Sequence, residues 1–143
     1  MPFYQATLRA QKPDRRYPLE PKTLGDHVRK RRLDLGLLQR QVARKVGAHL
    51  ATITNWETGK TEPELKFLPA VIAFLGFDPR PEGRTFGERL YRTRTARGMS
   101  HRVLARLVGA NESTVWKWEL GRHRPASRLA LVLEGLFGDL LSS

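Results

Sequence analysis

The side chains able to do chemistry are few, and their spacing does not suit catalysis. The four histidines, His27, His49, His101 and His123, have no metal-ligand spacing. The chain has no cysteine, which excludes a disulfide, a zinc-thiolate site and a thiol nucleophile. The carboxylates do not cluster as in a nuclease: Asp26 and Glu88 stand where helices should begin, and Glu62 and Glu64 lie in a turn. No P-loop or nucleophile elbow is present. These residues predict no enzyme, no metal and no cofactor. Positive charge is what the chain has in excess, with 26 Lys and Arg against 14 Asp and Glu and a formal net charge of +12. Such an excess serves nucleic acid or an anionic membrane surface. It is spread along the chain, with +4 over residues 23–76 and +6 over 85–138. A membrane-surface helix would pair a basic face with a broad apolar face in one segment, and none does. The longest apolar run, Phe67 to Phe77, is short for a membrane span and contains Pro69. The expectation is a nucleic-acid partner, no membrane, and a cytoplasmic, nucleoid-associated location.

The elements that would present this charge can be read from periodicity. With 143 residues and 40% apolar side chains the chain can form one ordinary domain or two small ones. Residues 1–22 contain four prolines and no sustained period, and read as an irregular basic arm, either a solvated tail or one that docks on protein or DNA through Phe3, Tyr4, Leu8 and Tyr17 or through its arginines. A first helix begins at Thr23, where Asp26 offers a capping box, and runs to about Leu35 before Gly36, with Leu24, Val28 and Leu35 as its buried stripe. In a second helix Val42, Ala43 and Val46 recur at helical spacing, and Gly47 stands where a left-handed residue ends a helix. A third starts near His49: Ile53 and Trp56 share its inner face, and Leu50, Ala51, Thr54 and Asn55 lie on or near the outer one. Leu65 to Leu75 is a fourth, with Leu68, Val71, Ile72 and Leu75 inward and Pro69 marking a kink or boundary. Residues 77–84, FDPRPEGR, read as a linker.

Beyond this linker the chain repeats itself. At an offset of 62, Thr85–Gly138 align without a gap on Thr23–Gly76, with 16 of 54 positions identical. Average composition would give about three or four. Identical pairs include Gly25 and Gly87, Arg32 and Arg94, Ala43 and Ala105, Gly47 and Gly109, Trp56 and Trp118, and Glu57 and Glu119. The outer positions of the third helix differ: Leu50, Ala51, Thr54 and Asn55 against Glu112, Ser113, Trp116 and Lys117. The second copy starts its helices with Ser100 and Asn111, where the first has Leu38 and His49, so the first should lack two caps. The predicted domains are an arm (1–22), a first lobe (23–76), a linker (77–84) and a second lobe (85–143).

The stretches RRLDLGLLQRQVA, KVGA and TITNWETGKTEP resemble the phage-repressor (Xre-like) helix-turn-helix family. The resemblance implies an all-α fold of tandem helix-turn-helix lobes of about four helices each, and a transcriptional regulator that binds specific double-stranded DNA. It implies that Arg32 pairs with Glu57, and Arg94 with Glu119, tying the first helix of each lobe to the end of its recognition helix. Leu50, Ala51, Thr54 and Asn55, with Glu112, Ser113, Trp116 and Lys117, would then read bases: Asn55 suits adenine, Lys117 guanine, Glu112 cytosine and Ala51 a thymine methyl. Gln39, Arg40, Arg44, Thr52 and Lys60, with His101, Arg102, Arg106, Thr114, Arg122 and Arg124, would hold phosphates. Trp116 faces outward toward either a thymine methyl or another protein. The alternative reading is a protein-interaction module, an antitoxin or adaptor docking a protein partner through the same lobes. A homodimer, with Leu140 and Leu141 at the contact, is also open.

Overall fold

The computed structural model describes residues 17–138. Among them the fold is all-α: α1 (Leu24–Asp34), α2 (Gln39–Val46), α3 (Leu50–Glu57), a 3-10 turn (Leu65–Phe67), α4 (Leu68–Leu75), α5 (Phe86–Ala96), α6 (His101–Val108), α7 (Glu112–Glu119) and α8 (Ser127–Phe137), with no strand. The arm apart from residues 17–22, and Leu140 and Leu141, lie outside the described residues. The chain forms two compact units, Met1–Glu62 and Pro63–Ser143.

In the first unit α1 starts on a complete capping box. Thr23 Oγ1 accepts from the Asp26 N–H at 3.0 Å, and Asp26 Oδ2 accepts from the N–H groups of Lys22 (3.0 Å) and Thr23 (3.3 Å). One turn on, Val28 is buried, whereas Leu35 is 48% exposed. The expected stripe therefore stops short of Leu35, which is the C-cap residue and has left the helix before Gly36 turns the chain. The inner faces of α2 and α3 are Val42, Ala43 and Val46, and Ile53 and Trp56, all buried. Gly47, with φ +77°, closes α2 in the left-handed region open to glycine. Gly25 sets how closely α1 meets α3, because a Cβ there would lie 1.9 Å from the Trp56 carbonyl oxygen. Leu38 and His49 give no side-chain cap. The start of α2 is fixed from the other side, however: Gln41 Oε1 accepts the Leu38 N–H at 2.7 Å. At the end of the arm, the Tyr17 hydroxyl donates to Asp34 Oδ1 at 2.6 Å.

The second unit begins ahead of α4. Pro69 lies in the first turn of α4, where its missing N–H costs nothing, and the 3-10 turn precedes it. Leu68, Val71 and Leu75 are buried, and α4 packs against α5. Residues 77–84 are fastened to α5 rather than running free. Arg80 donates to Asp78 Oδ1 (3.0 Å) and Oδ2 (2.9 Å), to Thr95 Oγ1 (2.6 Å) and to the Arg92 carbonyl (3.0 Å), while Arg92 Nη2 donates to the Asp78 carbonyl (2.9 Å). Burial alone would raise the Asp78 carboxyl, but the Arg80 hydrogen bonds outweigh it and hold the group below its ordinary value. The expected boundary at 77–84 and the observed division at Glu62 thus differ, and this clamp, with the packing of α4 on α5, is the physical reason.

The core of this unit joins Phe86 and Leu90 of α5, Leu104 and Val108 of α6, Val115 and Trp118 of α7, and Leu133 and Phe137 of α8. Thr85 and Glu88 form a second capping box. Ser100 Oγ caps α6 by accepting from the Val103 N–H at 3.1 Å. Asn111 does not act as expected: its side chain makes no cap bond, and its main-chain carbonyl takes the Thr114 N–H at 3.0 Å.

Candidate nucleic-acid interface

In each unit one carboxylate makes the same tie, from α1 to the end of α3 in the first and from α5 to the end of α7 in the second. In the first, Glu57 has a fully buried side chain and accepts from Arg32 Nε at 2.7 Å and Nη2 at 2.9 Å, a two-pronged pairing that a guanidinium plane favours. Arg32 Nη1 also donates to the Leu37 carbonyl at 3.1 Å, which fixes the turn into α2. In the second unit Arg94 Nη2 donates to Glu119 Oε1 at 3.0 Å and Nη1 to the Met99 carbonyl at 2.7 Å. The same two bonds therefore set the attitude of α3 and of α7.

The residue opening the middle helix joins each network, and here the copies diverge. Gln39 Nε2 donates to Glu57 Oε1 at 3.0 Å, and the Thr54 hydroxyl donates to Gln39 Oε1 at 2.9 Å. Two residues assigned to DNA contact are thus already bonded to each other and to the scaffold. In the second unit His101 Nε2 lies 2.9 Å from Glu119 Oε1, and Trp116 stands in place of Thr54 without a polar link to it. A further cation reaches the first carboxylate, Arg29 Nη1 at 3.9 Å from Glu57 Oε1. The apolar stripe of α1 does not mark Arg29 as a partner of this carboxylate. Its position three residues before Arg32, on the same side of α1, was the available signal.

The outer surfaces of α3 and α7 carry the other candidates. Leu50 and Ala51 are exposed, Thr52, Thr54 and Asn55 half-buried; on α7, Glu112, Ser113 and Trp116 are exposed, Thr114 and Lys117 half-buried. The Asn55 side-chain amide makes no hydrogen bond among the described residues, so both its donor and its acceptor are open. Around these helices stand exposed cations without an anionic partner among the described residues: Arg40, Arg44 and Lys60 in the first unit, Arg102 and Arg106 in the second. Arg122 and Arg124 lie on aromatic faces, 5.4 Å from the Trp116 ring centroid and 5.5 Å from that of Phe86. Trp56 and Trp118, each 2% exposed, belong to the cores, whereas Trp116 is 44% exposed. Among the described residues no group of three or more His, Cys, Asp or Glu could hold a metal ion, and no helix is long and apolar enough to cross a membrane.

A short helix ending at glycine and a second helix packed on it, the second tied by its buried carboxylate to the helix that precedes the pair, make a helix-turn-helix arrangement, and the described residues hold two. A family model described as "Helix-turn-helix" matches residues 28–81, and one described as "Helix-turn-helix domain" matches residues 85–136. The chain is a tandem helix-turn-helix protein of the phage-repressor (Xre-like) family, a class that in general comprises DNA-binding regulators of transcription and is typically non-enzymatic. No curated protein and no solved structure matches it. The first match runs through α4, which belongs to the first copy by sequence and to the second compact unit by packing.

Proposed function

We propose that the protein regulates transcription by binding a specific duplex DNA site whose two halves are read separately, one by α3 and the other by α7. The observation that carries this is the contrast between the copies: each keeps its arginine–glutamate tie, its tryptophan core and its turn glycine, yet every outer position at 50, 51, 54 and 55 differs from its counterpart at 112, 113, 116 and 117. A duplicated scaffold with unlike outer faces is what an asymmetric operator requires. Arg40, Arg44, Lys60, Arg102 and Arg106 hold phosphates and fix register, joined by Arg122, Arg124, Thr52, Thr114, Gln39 and His101. Base edges are then met by Asn55, with its open amide, and by Lys117, Glu112 and Ser113, with Leu50, Ala51, Thr54 and Trp116 supplying apolar contact and shape.

The test is selection of bound sites from a random duplex library, followed by measurement of affinity against salt. Seven cations engaging phosphate, the five uncommitted ones with Arg122 and Arg124, give a log–log slope of about −6, at roughly −0.9 per neutralised phosphate. A docking module for a protein partner, built on exposed Leu50 and Trp116, would select no sequence and respond weakly to salt. That outcome would overturn the DNA reading.

A further inference from the structure

The second unit carries a cleft of about 1000 Å³ between residues 80–84, α5, the start of α6 and the end of α7, at the upper end of the size range of small-molecule sites. Its apolar wall is Pro81, Tyr91, Trp116 and Leu120. The last three are all large and exposed, at 51%, 44% and 52%. A cluster of this kind beside a charged surface marks a binding site more often than does a scatter of single exposed apolar residues. The first copy gives a direct contrast. At the same scaffold positions it has Arg29, Thr54 and Thr58, so all three wall positions are polar there and apolar here.

The charged groups lining the cleft define what could enter it. Arg80 and Arg92 are bound to Asp78, and Glu119 to Arg94 and His101. Glu88 accepts the N–H groups of Arg84 and Thr85, which hold its carboxyl below the ordinary value. Glu82 and the Arg84 guanidinium remain, and they are exposed and opposite in sign. A charged ligand would find no net complement among the lining residues, whereas Tyr91 and Trp116 offer flat surface to stack on, with Arg122, outside the lining, over one face of Trp116.

We infer that this cleft binds an uncharged, flat aromatic small molecule, which lies against Trp116 and thereby changes how α7 meets DNA. The ligand-binding half stands on the cleft alone; the effect on DNA rests on the proposed function. The neutral fluorophore N-phenyl-1-naphthylamine, titrated into the full chain, should give a saturable one-site enhancement. The paired change Tyr91→Arg with Leu120→Thr, which restores the first copy's residues at those scaffold positions, should weaken binding at least tenfold, and Leu120→Thr alone should weaken it measurably. Leu107→Thr, on an exposed apolar position outside the cleft, should leave the titration unchanged. The inference is overturned by a non-saturating titration, by equal binding in parent and Leu120→Thr, by an equal loss in Leu107→Thr, or by tighter binding of the anionic relative 1-anilinonaphthalene-8-sulfonate. If the probe behaves as stated but no duplex is ever selected, the cleft stands and the DNA reading fails. If a selected duplex binds and the probe leaves its affinity unchanged, the proposed coupling through Trp116 is overturned.

Discussion

Replacing Glu57 with alanine removes the one anion in a buried cluster of donors. Its side chain is fully buried, that of Arg32 only 12% exposed, and three hydrogen bonds of 2.7 to 3.0 Å converge on its carboxylate from Arg32 and Gln39. The variant strands the Arg32 charge, leaves Gln39 Nε2 without its acceptor and removes the polar tie between α1 and α3. Breaking a buried pair by removing one partner costs about 3–5 kcal/mol. At the lower bound a unit of this size should melt roughly 12–24 °C earlier, using about 4–8 °C per kcal/mol. Trp56 lies in the first unit and Trp116 and Trp118 in the second, so urea titrations of a Trp56→Phe background and of a Trp116→Phe with Trp118→Phe background report which unit gives way. Glu57→Ala should lower the first transition, Glu119→Ala the second. Glu57→Gln keeps the shape and an acceptor and should cost less. Replacing both partners, Arg32→Met with Glu57→Met, should recover much of the loss, since no charge is left buried. If Glu57→Ala and Glu119→Ala each cost under about 1 kcal/mol, these carboxylates do not hold the recognition helices and the reasoning fails.

Gly25→Ala should destabilise the first unit with no change in charge, because its Cβ would lie 1.9 Å from the Trp56 carbonyl oxygen; a melting curve matching the parent would show that α1 can draw back freely. Asn55→Ala should relax sequence preference in one half of the selected site only and Lys117→Ala in the other, each by about 1–3 kcal/mol of discrimination, as read from binding to single-base variants. Acid should weaken both lobes through their capping boxes. The Lys22 and Thr23 N–H groups hold the Asp26 carboxyl below its ordinary value, and those of Arg84 and Thr85 do so for Glu88. Their contribution is therefore complete above the unfolded carboxylate range near about pH 4 and is lost as pH falls through the lower folded values. Burial lowers His27, so its contribution too is present above its ordinary value of about 6.5 and fades as the pH falls. Melting temperatures of the parent and of Asp26→Asn with Glu88→Gln should converge at low pH; a constant difference between them would count against the caps.

The helices were legible because their boundaries are local chemistry. Thr23 with Asp26, Gly47 and Gly109 after their apolar stripes, and Pro69 in the first turn of α4 each act within a few residues of themselves. The repeat then gave the tandem architecture, since one unbroken offset left little freedom in pairing the lobes. What escaped reading was set by contacts distant in sequence. Residues 77–84 look like a linker by composition, and only the fold shows Arg80 reaching Thr95 and the Arg92 carbonyl. Gln39 and Thr54 read as surface polar residues, yet fifteen residues apart they share a hydrogen bond in the Glu57 cluster. Leu35 was misplaced because helical spacing was carried one residue past the end of the helix. The cleft in the second unit was illegible for the same reason: Tyr91, Trp116 and Leu120 form one wall only once α5 and α7 are brought together.

The period of the duplication and the partition of the folded chain are out of phase. The sequence repeats from Thr23 to Thr85, whereas the compact units meet at Glu62 and Pro63, so α4 originates with one copy and is housed with the other. The copies are consequently not interchangeable cassettes. A shortened gene starting at Thr85 would discard α4 and the Asp78–Arg80 clamp from the face of α5, and one ending at Gly76 would leave α4 without the α5 surface it packs on. Trimming or domain exchange should respect the peptide bond after Glu62, where the folded units part, and not the join that the repeat suggests.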